Sequence, residues 1–136
     1  MNFIKTEIEG LTIIEPKIFE DQRGYFFESF NLQKWKEQLG EVPDFIQDNE
    51  SMSHKNVLRG LHFQKPPFAQ GKLVRVVKGS VLDVAVDIRK DSPTYGQHFK
   101  MVLSEKNKLQ LYVPEGFAHG FLTLEDNTIF NYKCTN

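Results

Sequence analysis

From Phe45 onward the chain alternates apolar and polar residues in short runs separated by turn-forming residues. The alternation predicts strands over 45–49, 57–64, 71–78, 80–88, 97–103, 108–113, 118–124 and 127–133. Pro66-Pro67, Gly79, Ser92-Pro93, Gly96, Glu115-Gly116 and Asp126-Asn127 punctuate them. Residues 3–19 alternate more loosely around Pro16 and predict one or two edge strands. A turn in "DQRG" then precedes an aromatic strand from Tyr25 to Phe30. Only "NLQKWKEQLG" has a helical period: Leu32, Trp35 and Leu39 share a face, with Asn31 as N-cap and Gly40 at the end. Many short strands and one short helix near the N-terminus predict an all-β antiparallel sandwich or barrel, as a single domain over 1–136.

Strand parity assigns faces. Lys72, Val74 and Val76 share one side of "KLVRVV", and Leu73, Arg75 and Val77 the other. In "VLDVAVD" Val81, Asp83, Ala85 and Asp87 line up. If the Lys72 and Asp83 faces look into a barrel, charges occupy a concave cavity, where pairing or function is expected. The other reading is an outward, solvated face.

Composition narrows the partners. The 136 residues carry a formal net charge of −1, so there is no global basic field to draw the chain to nucleic acid or anionic lipid. Cys134 is the only cysteine, which excludes an intrachain disulfide and fits a reducing compartment. The start "MNFIKTEIEGL" lacks a signal-peptide apolar run, and no uncharged stretch approaches a membrane span. A soluble, cytoplasmic protein is expected.

The candidate chemistry centres on His62 in "RGLHFQ" and His119 in "PEGFAHGF". The second stretch resembles the second motif of the cupin superfamily, whose metal-binding members usually supply a His-x-His pair from the first motif. Here that position reads His62-Phe63-Gln64, and an amide is a poor ligand beside imidazole or carboxylate, so no metal is expected. An imidazole can exchange protons near neutral pH, Lys72 can steady an oxyanion in a low-dielectric cavity, and the Tyr132 phenol is a candidate acid. Taken singly, each also reads as a core histidine, a surface lysine or a strand-end tyrosine.

Taken together, "FEDQRGYFFESFN", "FIQDNESMS", "VLRGLHFQ", "QGKLVRVVKGSVLDVAVDIRKDSPTYG", "LSEKNKLQLYVPEGFAHGFLTL" and "YKCT" strongly resemble the nucleotide-sugar epimerases typified by dTDP-4-dehydrorhamnose 3,5-epimerase. The resemblance implies a cupin-type jelly roll, a homodimer exchanging an N-terminal segment, and no cofactor. It implies a nucleoside-diphosphate 4-keto-6-deoxy sugar substrate, dTDP- or GDP-linked, epimerised at C3, C5 or both for surface-polysaccharide biosynthesis. On this analogy His62 is the base, Lys72 stabilises the C4 enolate and Tyr132 returns a proton on the opposite face. Arg23 and Arg59 fall on diphosphate positions, and Glu28, Gln47, Asn49 and His119 on other substrate contacts, with Asp48 acting mainly through its backbone.

The chain ends at Asn136, whereas similar enzymes continue with a segment that supplies the carboxylate orienting the catalytic histidine. Asp83 is the expected replacement partner of His62, from parity. A sugar 3,4-ketoisomerase and a silent nucleotide-sugar-binding protein are the alternative functions. Cys134 is expected to be structural, and Trp35 a core or dimer contact.

Overall fold

A computed structural model describes residues 1–136. Twelve strands and one helix follow in order: β1 (Asn2–Lys5), β2 (Thr12–Glu15), β3 (Phe19–Asp21), β4 (Gly24–Phe26), α1 (Leu32–Leu39), β5 (Gln47–Ser53), β6 (Leu58–His62), β7 (Lys72–Lys78), β8 (Ser80–Asp87), β9 (His98–Ser104), β10 (Gln110–Val113), β11 (Phe117–Thr123) and β12 (Thr128–Cys134). Six strands form a large sheet in the order β1-β2-β10-β7-β12-β5, and four form a small one, β6-β11-β8-β9. Every pairing is antiparallel. From β7 the chain crosses back and forth between the sheets, the connectivity of a jelly roll.

The alternation seen in the sequence becomes two opposed faces. Along β8, Val81, Asp83, Ala85 and Asp87 are all buried, while Leu82, Val84 and Val86 are only half-buried. The inward residues at one end of the sandwich are apolar: Val74, Val76, Val81, Leu103, Leu111 and Phe121 belong to one continuous core. Burying such side chains stabilises the sandwich by about 1.5–3 kcal/mol each. Moving along the same strands, the inward positions turn polar: Val76, Val74, then Lys72 on β7, and Phe130, Tyr132, then Cys134 on β12.

A second core lies on the other side of the large sheet. Trp35 of α1 is fully buried against Ile14 and Leu73, with Phe3, Phe30, Phe45 and Tyr112 packed around it. Its ring meets Phe3, Phe45 and Tyr112 edge-on at centroid distances of 5.4, 5.6 and 5.2 Å, a favoured aromatic geometry. Asn31 Oδ1 accepts from the Lys34 amide at 3.0 Å and caps the helix, and the Gly40 amide donates to the Lys36 carbonyl at its end.

Two elements depart from the sequence expectation. The aromatic run ends its pairing at Phe26, so 27–30 is not strand. Phe27 and Phe30 instead lie against the Arg75 and Lys133 cations of the large sheet, at 5.9 and 5.4 Å. Conversely β5 runs on to Ser53, well past position 49. All seven of its residues pair with β12, although the stretch carries almost no apolar signal.

Candidate active site

The polar end of the sandwich encloses a cavity of about 300 Å³ lined by His62, Lys72, His119 and Tyr132, with Phe63 and Gln64 at its side. A smaller adjoining recess adds Arg59 and Ser51 to the same four residues. Phe121 of β11 stacks on Phe130 of β12 at 4.2 Å and joins the two sheets beneath this recess.

Each polar side chain is placed by register. Lys72 and Cys134 are directly opposed on β7 and β12, and Tyr132 is opposed to Asn49 on β5. On the small sheet His119 lies opposite His62 on one side and Ala85 on the other. Simple alternation would send Arg59 and His62 to opposite faces, since they are three residues apart. A bulge prevents this: Arg59 opposes Phe121 and His62 opposes His119, so two residues of β6, Gly60 and Leu61, face only Gly120. Gly60 adopts φ +95°, and a Cβ there would lie 2.6 Å from the His119 carbonyl oxygen. The bulge therefore requires glycine.

Asp83 corrects the sequence expectation. It is fully buried, and both its carboxylate oxygens lie 2.9 Å from Nε2 of His119. It cannot serve His62, because β11 lies between β8 and β6 and presents His119 in the intervening place. His62 is exposed at the open edge of the small sheet.

Lys72 is half-buried, with its ammonium 5.6 Å from the centre of the Tyr132 ring. Burial pushes the lysine below its ordinary pKa of 10.5, while the Cys134 thiol and Asp83 act in the opposite direction. Burial also raises Tyr132 above 10.0, with Cys134 adding to it and Arg59 opposing it, so the phenol holds its proton across the neutral range. Cys134 is buried, its thiol raised by burial, and accepts a long hydrogen bond of 3.6 Å from Asn49. It is a structural neighbour of Lys72, and no lowered thiol pKa marks it as a nucleophile.

The remaining sequence-predicted contacts divide. Asn49 shares the inward face with Tyr132, and Gln47, opposed to Cys134, donates to Asn49 at 3.4 Å. Asp48 points the other way and pairs with Lys133 at 2.8 Å. Glu28 is occupied beside the helix start, 2.8 Å from Lys34 and 2.9 Å from Asn31. Arg23 sits on the exposed β3–β4 hairpin, paired with Asp21 at 2.7 Å. Within one chain, neither Glu28 nor Arg23 lines the cavity. Ser51 and Ser53 were missed by the sequence reading; the polar alternation Gln47, Asn49, Ser51, Ser53 was the available signal. No three His, Cys, Asp or Glu side chains converge in a metal-holding arrangement.

Comparison with known proteins decides what this arrangement belongs to. The family model described as dTDP-4-dehydrorhamnose 3,5-epimerase matches residues 5–136. The chain belongs to the dTDP-4-dehydrorhamnose 3,5-epimerase family. It is 58% identical over 136 residues to the dTDP-4-dehydrorhamnose 3,5-epimerase of Shigella flexneri, covering all of this chain and 75% of that one. Among solved structures, the Elizabethkingia anophelis dTDP-4-dehydrorhamnose 3,5-epimerase superposes with a TM-score of 0.94 at 52% identity, over 100% of this chain and 74% of that one. The Legionella pneumophila dTDP-6-deoxy-D-glucose-3,5-epimerase, in complex with dTDP-4-keto-L-rhamnose, gives 0.94 at 54% identity, over 99% and 71%. The chain thus spans about three quarters of these epimerases' length. No helix of this family member is long and apolar enough to cross a membrane.

Proposed function

We propose that this epimerase acts on a nucleoside-diphosphate 4-keto-6-deoxy sugar, dTDP-linked as for its relatives, inverting carbons next to the C4 carbonyl. The observation that carries the reading is the convergence of His62, Lys72, His119 and Tyr132 on one cavity from both sheets. A carbonyl at C4 acidifies the hydrogens at C3 and C5. His62 takes the proton, the Lys72 ammonium donates a hydrogen bond to the enolate oxygen, and Tyr132 returns a proton from the opposite side. Inversion needs two proton carriers on two faces, since one carrier tends to restore the starting configuration. The small-sheet imidazole and the large-sheet phenol provide that opposition.

The lowered basicity of Lys72 suits its role, because an ammonium that burial disfavours gains most from a developing anion. His119 is aimed by Asp83 and contacts the sugar. Arg59 meets the diphosphate, a task matched to a guanidinium. The same reading makes the working enzyme a homodimer. Phe19, Tyr25 and Phe26 of the β3–β4 hairpin are each more than half exposed, as expected of an arm that packs on a second copy and carries Arg23 to its cavity.

Proton NMR in deuterated water with dTDP-4-keto-6-deoxyglucose tests the reading. Deuterium at C3 or C5 of an inverted product is expected, and the labelled positions count the carbons inverted. A carbonyl that moves to C3 marks ketoisomerisation, and binding without exchange marks a silent protein; either result overturns the proposal.

A further inference from the structure

Arg59 reaches the cavity from β6 at the edge of the small sheet, yet its side chain is anchored on the large sheet. Its Nε donates to the hydroxyl of Ser53 on β5 at 2.8 Å, and its Nη2 donates to the Met52 carbonyl at 3.3 Å. Ser53 is only 3% exposed. Its backbone place is set independently of its hydroxyl, because it pairs with Thr128 across β5 and β12. The ion pairs of the chain involve Arg23, Lys34, Arg89, His119 and Lys133, which leaves Arg59 without a carboxylate partner. A guanidinium held at Nε and Nη2 still has both N–H groups of Nη1 and one of Nη2 to offer.

We infer that Ser53 is a positioning residue for the reaction: its buried hydroxyl fixes the Arg59 fork in advance, so that the unpartnered N–H groups meet the phosphate oxygens of the substrate without a further ordering cost. The inference rests on the reading of Arg59 as a diphosphate contact. An arginine on an exposed edge strand otherwise samples many rotamers, and immobilising such a side chain on binding costs affinity. The brace also ties β6 to β5 across the gap between the sheets. Binding and positioning are therefore affected by Ser53, whereas proton transfer at the ring is not.

The test is a double-mutant cycle of Ser53→Ala and Arg59→Ala, read by calorimetric dTDP affinity and by KM and kcat. Ser53→Ala is expected to weaken dTDP binding and raise KM about two- to tenfold with kcat little changed. It is expected to add nothing once Arg59 is alanine. Ser53→Cys keeps the volume and weakens the acceptor, and gives the same pattern if the alanine variant does not fold. Unchanged dTDP affinity in the folded Ser53 variant overturns the inference, as does an equal loss in the Arg59→Ala background. Wild-type dTDP affinity in Arg59→Ala alone overturns the diphosphate reading instead, which keeps the two failures distinct.

Discussion

Asp83 grips His119 through both carboxylate oxygens, each 2.9 Å from Nε2, and leaves His62 without a carboxylate at the open edge of its sheet. The two imidazoles face each other across β6 and β11, yet only one has a buried carboxylate behind it. His119 is thereby held in place, while the His62 ring is exposed; under the proposed reaction the first suits a fixed contact and the second a proton carrier.

Removing the grip leaves a buried ring nitrogen without a partner. Asp83→Ala is expected to lose about 1–3 kcal/mol of stability. Its kcat/KM is expected to fall by one to two orders of magnitude as His119 loses its orientation, by analogy with supporting groups behind other functional imidazoles. Asp83→Asn keeps one acceptor and should fall between it and the parent. Urea denaturation and steady-state kinetics on the three proteins check this.

Under the proposed reaction, Lys72 stabilises charge that appears only as the proton leaves. Lys72→Met is therefore expected to cut kcat about 10²–10³-fold while moving KM far less, as for other donors aimed at an oxyanion. Initial-rate kinetics over a range of substrate concentrations separate the two parameters.

The β6 bulge makes a sharper structural demand. At Gly60 a Cβ would meet backbone atoms at 2.6 and 2.9 Å with φ at +95°, whereas at Gly96, φ +84°, it would meet nothing within 4 Å. Gly60→Ala is expected to cost about 2–4 kcal/mol and to impair activity, by displacing Arg59 and His62 together. Gly96→Ala should cost about 1–2 kcal/mol, from backbone conformation alone, and leave activity intact. Chemical denaturation with an activity assay distinguishes them.

Acid stability should trace to Asp87. It accepts from the Arg89 side chain and backbone and from the Ser92 and Thr94 hydroxyls, and the Arg89 guanidinium holds its pKa well below the ordinary 3.8. A depressed carboxylate pKa contributes stability that is present above 3.8 and is lost as pH falls toward the lower folded value. Melting temperatures of the parent should therefore drop below that pH. In Asp87→Asn that component of the drop should be absent, from a lower starting stability at neutral pH.

Much of the sandwich was legible because β7, β8 and β11 are rich in alternating valine, leucine and phenylalanine. What escaped has a local cause. The residues of β5 on the side of Ser53 are Gln47, Asn49, Ser51 and Ser53, all polar, with Ser51 lining the recess beside the cavity, so the hydrophobic alternation that marks a strand was missing. Parity placed Asp83 on the inward face correctly, but it carries no information on strand order, and the insertion of β11 between β8 and β6 decides that its partner is His119. The same rule fails for Arg59 and His62, since a bulge of one residue inverts the faces beyond it. Arg23 and Glu28 do not line the cavity, and strand parity has nothing to say about residues held on a hairpin and beside a helix start.

The division of labour between His62 and Tyr132 is tested most directly by following solvent deuterium into dTDP-4-keto-6-deoxyglucose with His62→Ala and Tyr132→Phe. Tyr132→Phe is expected to exchange the ring hydrogen with retained configuration, since the base still removes and returns a proton on its own side, and His62→Ala is expected to show neither exchange nor inversion. Wild-type exchange in His62→Ala, or full-rate inversion in Tyr132→Phe, would contradict it.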